Sequence, residues 1–280
     1  MIYDLRTLTY KGQDVFQKVI LDTPEREIRP FKRNEACFMF VNNGEFSVRT
    51  PDALIPIYKG NAVLAKCHNF FIESSIKQRE EGGKLEVIAV YLFSDIIEEL
   101  LSVDLNKSSH TVNYNLKQIG VNKLLDNFKV SLELLFDNPE LADEATIKTK
   151  LKEFLLLISK TQGASQSDFL SALFKLKSTD FWSTVTNNLY SSLTIEEFAK
   201  LCGMGTSSFK RKFRELFYET PAKYISLKKL ERAAEMLLSD DLRISEIAYD
   251  CGFETTSTFN RTFKGQFGRS PSEYRLSQRD

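Results

Sequence analysis

Two periodicities divide the chain. Over residues 1 to about 95, apolar positions fall in short runs or alternate with polar ones: Val15 to Ile20, Cys37 to Val41, Phe46 to Val48, Leu54 to Tyr58, Val63 to Ala65, Phe70 to Ile72 and Leu85 to Phe93. Turn-forming clusters separate them, among them Asn42-Asn43-Gly44, Thr50-Pro51-Asp52, Lys59-Gly60-Asn61 and Glu81-Gly82-Gly83. Such runs between such breakers read as strands, and many short strands at this spacing predict a small barrel or jelly roll. From Ser94 the period becomes helical. Ser94 or Asp95 is placed to cap a helix through Ile96, Ile97, Leu100 and Leu101. Leu124, Leu125, Phe128, Leu132 and Leu135 mark a helix over 116–136, stopped by Asp137-Asn138-Pro139. Ile147, Leu151, Phe154, Leu155 and Ile158 mark another over about 143–159, and a short helix over 168–176 follows the loop 163–167. The expected organisation is a barrel over 1–95, a helical region over 96–176, a linker over 177–182 and a helical domain over 183–280.

That last domain contains one pattern written twice. Leu193-Thr194-Ile195-Glu196-Glu197-Phe198-Ala199-Lys200-Leu201-Cys202-Gly203-Met204 aligns with Leu242-Arg243-Ile244-Ser245-Glu246-Ile247-Ala248-Tyr249-Asp250-Cys251-Gly252-Phe253, about fifty residues on. After a one-residue difference in length, Phe209, Phe213, Phe217, Pro221 and Tyr224 match Phe259, Phe263, Phe267, Pro271 and Tyr274. Each copy reads as a short helix, a turn at a glycine able to take positive φ, and a second helix held by phenylalanines four apart. Thr206 or Ser207 is placed to cap the second helix of copy one, and Thr255 or Thr256 that of copy two. The face opposite the phenylalanines carries Ser207, Lys210, Arg211 and Arg214 in the first copy, and Thr256, Ser257, Asn260, Arg261 and Lys264 in the second. Arg and Lys suit guanine edges, Asn suits adenine, and hydroxyls reach phosphates or bases. Between the copies, residues 222–239 form an amphipathic helix that would fix their separation. Two such recognition helices about 34 Å apart would enter successive major grooves. A bundle whose phenylalanines serve only as core is the alternative for one copy; duplication with matching Pro and Tyr ends favours the nucleic-acid reading.

Charge changes this picture little. The 38 basic residues balance 38 acidic ones, and residues 183–280 carry 15 basic against 13 acidic. Any grip on a polyanion must come from local placement. The four cysteines, Cys37, Cys67, Cys202 and Cys251, form no Cys-x-x-Cys pair and are expected reduced and structural. Two histidines, His68 and His110, are too few for a metal-dependent barrel enzyme, so no catalytic, metal or cofactor site is expected. The first residues carry an acid and no apolar core of a leader, and no apolar stretch is long enough to cross a bilayer, so a cytoplasmic protein is expected.

The C-terminal text resembles the AraC/XylS family of bacterial transcription regulators. The matching residues are Ile244 to Ala248, Cys251-Gly252-Phe253, Phe259-Asn260-Arg261-Thr262-Phe263-Lys264 and Phe267 to Arg275. The resemblance covers roughly 183–276, about a third of the chain. It implies a seven-helix domain binding double-stranded promoter DNA, usually in an activator that contacts RNA polymerase. Two positions depart from the family: Thr258 stands where an aromatic is common, and Lys229 where Arg is usual. The N-terminal half resembles the family's cupin-like barrel followed by dimerisation helices. Around Leu124 to Ser159 it is similar to the family's activators of type III secretion genes. The fold class implied is α+β with two domains, a cupin-like β-barrel with dimerisation helices and an all-α domain with two helix-turn-helix motifs.

The resemblance also implies candidate sites in the N-terminal half. Phe38, Phe40, Cys67, His68 and Phe70 would line a pocket for a small effector, although aromatics in a small barrel ordinarily fill it as core. Leu124, Phe128, Leu132 and Leu135 would form the seam of a homodimer, with packing inside one chain as the alternative. Two functions remain open on the residues: a transcription activator controlled by a small effector or a regulatory protein, and a non-enzymatic ligand-sensing or protein-binding adaptor.

Overall fold

The computed structural model describes residues 2–22, 26–29, 35–66, 70–74, 82–108, 110–112, 114–160, 165–175, 180–239 and 242–277. The chain divides into two compact units, one of residues 1–50 and 54–178, the other of residues 51–53 and 179–280.

In the first unit, a six-stranded antiparallel sheet runs in the order β1 (Ile2–Tyr10), β2 (Gln13–Asp22), β9 (Lys84–Phe93), β4 (Glu35–Asn43), β7 (Asn61–Ala65), β10 (Leu116–Gly120). A four-stranded sheet runs in the order β3 (Arg26–Arg29), β8 (Phe70–Glu73), β5 (Phe46–Arg49), β6 (Leu54–Ile57). Because strand side chains alternate, β4 and β9 feed two cores at once. Cys37, Met39, Val41, Leu85, Val87 and Ala89 meet Phe46, Val48, Phe70 and Ile72 from the smaller sheet. Phe38, Phe40, Ile88, Val90 and Leu92 point the other way, into helices α1 (Ser94–Leu101), α2 (Lys123–Asp137), α3 (Glu144–Lys160) and α4 (Gln166–Leu173). Burial on both faces explains the uninterrupted apolar runs at 37–41 and 87–93.

Three sequence expectations change. The small barrel is two open sheets: among the described residues, β1 pairs only with β2, and β10 only with β7. The helix expected from 116 starts at Lys123, capped by the Asn122 side chain, which accepts from the Leu125 N–H at 2.9 Å. Leu116–Gly120 is instead an edge strand against β7, where Leu116 and Ile119 are buried. Neither Ser94 nor Asp95 caps α1, since strand β9 runs directly into it and the N-cap is Phe93.

The second unit holds seven helices among the described residues: α5 (Phe181–Asn187), α6 (Ile195–Leu201), α7 (Thr206–Phe217), α8 (Pro221–Ser239), α9 (Ile244–Asp250), α10 (Thr256–Phe267) and α11 (Pro271–Leu276). Asp180 caps α5 by accepting from the Ser183 N–H at 3.1 Å. Of the linker expected at 177–182, residues 177–179 lie outside the described residues, while Asp180 is a cap and Phe181 and Trp182 already belong to α5.

Candidate nucleic-acid interface

The repeat becomes two helix-turn-helix motifs hung on one helix. In the first, Glu197 accepts from the Thr194 N–H at 2.8 Å while the Thr194 hydroxyl accepts from the Glu197 N–H at 3.2 Å, a reciprocal cap on α6. Glu246 accepts from the Arg243 N–H at 2.8 Å at the start of α9. The glutamate shared by both copies is therefore a capping residue. The turns follow at Gly203 (φ +65°) and Gly252 (φ +77°).

Each second helix is anchored by its phenylalanines. Phe209 and Phe213 are fully buried, and Phe209 stacks on Phe198 at 6.2 Å between ring centroids. Phe213 stacks on Phe217 at 4.3 Å, and Phe217 lies 4.8 Å from Tyr224 at the start of α8. The second copy repeats this ladder: Phe259 with Phe263 at 5.4 Å, Phe263 with Phe267 at 4.6 Å, Phe267 with Tyr274 at 5.3 Å. Further along α8, Leu230, Ala233, Ala234 and Leu237 share a core with Ile247, Ala248, Phe259 and Phe263. One helix thus packs on both motifs.

With the phenylalanine face fixed inward, the polar face turns outward. Ser207, Lys210, Arg211 and Arg214 are all exposed on α7. At equivalent positions on α10, Ser257, Asn260, Arg261 and Lys264 are exposed and Thr256 is half-buried. The spacing i, i+3, i+4, i+7 places each set on one helix face. Among the described residues Arg211 makes one long contact, 4.0 Å to Glu215 and largely in solvent, which holds its fork weakly.

The caps differ from expectation in one copy. Thr255 caps α10, its hydroxyl accepting from the Thr258 N–H at 3.2 Å. At α7 the N-cap is Gly205 with no side-chain cap, and Thr206 is already the first helical residue. Thr258, the departure from the family pattern, pairs its hydroxyl with that of Thr255 at 3.0 Å, so its side chain serves the helix start. Burial pushes the thiols of Cys202 and Cys251 up to about 12 and about 11. These cysteines are packing residues of the repeat.

The N-terminal candidates separate. Phe38 and Phe40 lie on the helix side of the large sheet, Phe38 at 5.2 Å from Phe154 and Phe40 at 6.5 Å from Phe128. Phe70 lies in the other core, between the sheets. These three do not line one pocket, because β4 and β8 present them to different cores; Cys67 and His68 lie outside the described residues. A cavity of about 170 Å³ does exist between the sheets, lined by Ile2, Leu5, Val19, Leu21, Met39, Phe46, Ile72, Leu85 and Val87, with Gln17 as its polar member. On α2, Phe128 and Leu132 are buried within the chain and Leu135 is half-buried against the same core. Of the expected dimer seam only Leu124 is exposed, at 63%, and the outward apolar residues beside it are Val130 and Leu134. Helical spacing alone could not tell the inward from the outward stripe.

Two helix-turn-helix motifs joined by a shared helix, each with an outward polar face, define a double helix-turn-helix domain. The chain belongs to the AraC/XylS family of regulators. A helix-turn-helix domain model matches residues 198–277, and a model described as the ExsA N-terminal regulatory domain matches residues 36–172. The chain is 33% identical over 96 residues to the regulatory protein SoxS of Escherichia coli K12, spanning 34% of this chain and 90% of SoxS. It is 31% identical over 145 residues to the virulence regulon transcriptional activator VirF of Yersinia enterocolitica, spanning 50% of this chain and 52% of VirF. The match thus spans about half the length of VirF. Among solved structures, the DNA-binding domain of AdpA in complex with a target DNA is similar at 26% identity and a TM-score of 0.34, covering 35% of this chain and 89% of that one. Among the described residues, no helix is long and apolar enough to cross a membrane.

Proposed function

We propose that the chain is a cytoplasmic, sequence-specific DNA-binding regulator of transcription that reads promoter duplex with α7 and α10. The observation that carries this is the pair of equivalent exposed faces, Ser207, Lys210, Arg211 and Arg214 on one helix and Ser257, Asn260, Arg261 and Lys264 on the other. Each follows a glycine turn, and each is held outward by a buried phenylalanine ladder. Thr256, half-buried at the start of α10, contributes a hydroxyl to a phosphate or a base edge in this reading. The likeness to VirF, a transcriptional activator by name, supports activation, which calls for contact with RNA polymerase.

The first unit, in this reading, is the regulatory part, a cupin-like domain whose sheets have room for an effector. The apolar lining of the inter-sheet cavity favours a small, uncharged, largely hydrophobic molecule over a polar one. A homodimer forms through the outward face of α2, Leu124, Val130 and Leu134, in place of the buried Phe128 and Leu132. An adaptor that binds protein through its helical domain is the competing function. Selection of duplexes from a randomised pool by the whole chain separates the two. Enrichment of a two-part sequence motif is the expected result, and a pool that stays random would contradict the proposal.

A further inference from the structure

The two turn glycines match in sequence but differ in surroundings. At Gly203 a Cβ would meet nothing within 4 Å. At Gly252 it would fall 2.6 Å from the main-chain oxygen of Ser191 and closer still to that of Tyr190. The second turn therefore lies directly on the segment that leads into the first motif. Only a residue without a side chain permits that approach.

Helix α8 ties the same point from another side. Lys229 is 9% exposed and donates from Nζ to the carbonyl oxygen of Gly252 at 2.9 Å. One turn further on, Arg232 lays its guanidinium over the Tyr190 ring, 4.3 Å from Cζ to the ring centroid. Entry segment, linker helix and second turn thus converge at one place. Burying an ammonium group is costly unless it is hydrogen-bonded, so the Lys229 contact is a specific tie rather than an incidental one.

We infer that this clamp fixes the spacing and rotation between the two recognition faces, and that Lys229 and Arg232 are positioning residues that decide which separation of half-sites the chain accepts. The inference rests on the DNA-binding reading above. Base recognition requires the reading side chains to be held within a fraction of an ångström. A one-base-pair change in spacing both moves and rotates one half-site relative to the other. A rigid pair of motifs rejects such a change, whereas a loosely joined pair follows it.

The test uses the whole chain and duplexes enriched by it from a randomised pool. Affinity is measured for the enriched sequence and for versions with one base pair added or removed between the contacted segments. The unsubstituted chain should prefer its own spacing by about tenfold, the scale of one lost base-pair contact. Lys229→Met and Arg232→Gln should each reduce that preference to about twofold while keeping binding to the altered spacings, and Lys229→Arg should restore it. Unchanged preference in both variants would overturn the proposal. Equal loss on every duplex would overturn it too, by giving both residues a purely structural role. Arg232, half-exposed at the outer end of the clamp, carries the test if Lys229→Met does not fold. No enriched duplex with the unsubstituted chain would instead overturn the DNA-binding reading on which the clamp depends.

Discussion

Gly252 sits with its Cα against the main chain of Tyr190, a contact in which any side chain on residue 252 would collide with the Tyr190 carbonyl. Its backbone also holds φ at +77°, a conformation that L side chains rarely adopt. Gly252→Ala combines both penalties and should cost about 3 kcal/mol or more. Gly203→Ala faces only the conformational term, since its φ of +65° lies beside open space, and should cost about 1 kcal/mol. Chemical denaturation of the two variants measures the contrast, and equal losses would show that the close approach is not there.

The two proposed recognition faces differ in chemistry, so their variants should differ in kind. Arg211→Ala and Arg261→Ala should each weaken binding to the enriched duplex by about 1–3 kcal/mol without altering the far-ultraviolet circular dichroism. Lys210→Ala should lower affinity about evenly across sequences and reduce the salt dependence by roughly one ion. Asn260→Ala should chiefly relax base preference at one position. Competition binding with single-position duplex variants reads all of these.

The exposed apolar residues of α2 supply the association test. Leu134 is 61% exposed, so Leu134→Glu leaves the core intact and should not change the unfolding midpoint. It should shift the chain towards monomer in sedimentation velocity. Leu132→Ala, fully buried, should cost about 2–5 kcal/mol of stability. A monomeric unsubstituted chain would remove the proposed seam.

Thiol chemistry gives a pH prediction. Burial disfavours the thiolate, which puts Cys202 at about 12 and Cys251 at about 11. A raised folded value means that the stability linked to each thiol is complete below the unfolded value of about 8.5. It is lost as pH climbs from there through the folded value. Alkylation near pH 8 should be slow at both residues in the folded chain and fast in denaturant. Rapid labelling of buried Cys251, or of half-buried Cys202, in the native state would contradict thiols held up in this way.

Much of the second unit was legible in the sequence because its repeat samples the same physics twice. Phenylalanines four apart, a shared capping glutamate and a turn glycine each mark a local requirement. The clamp was not legible, since Lys229, Arg232, Tyr190 and Gly252 meet only through tertiary packing. In the first unit, Phe38 and Phe70 look alike in sequence, yet they enter different cores, and only strand pairing decides which. The Leu116–Gly120 strand was hidden by the helix beside it, because a five-residue edge strand with two buried positions has too short a pattern to separate from a helical turn.

In the proposed function the exposed faces of α7 and α10 grip duplex DNA. A titration of the whole chain onto a labelled random duplex, repeated between roughly 50 and 200 mM salt, measures that grip. Binding should appear at low salt with affinity falling linearly on a log–log plot, and with a shallower slope when Lys210 and Arg211 are both replaced by alanine. Absence of binding at the lowest salt, or binding indifferent to salt, would contradict it.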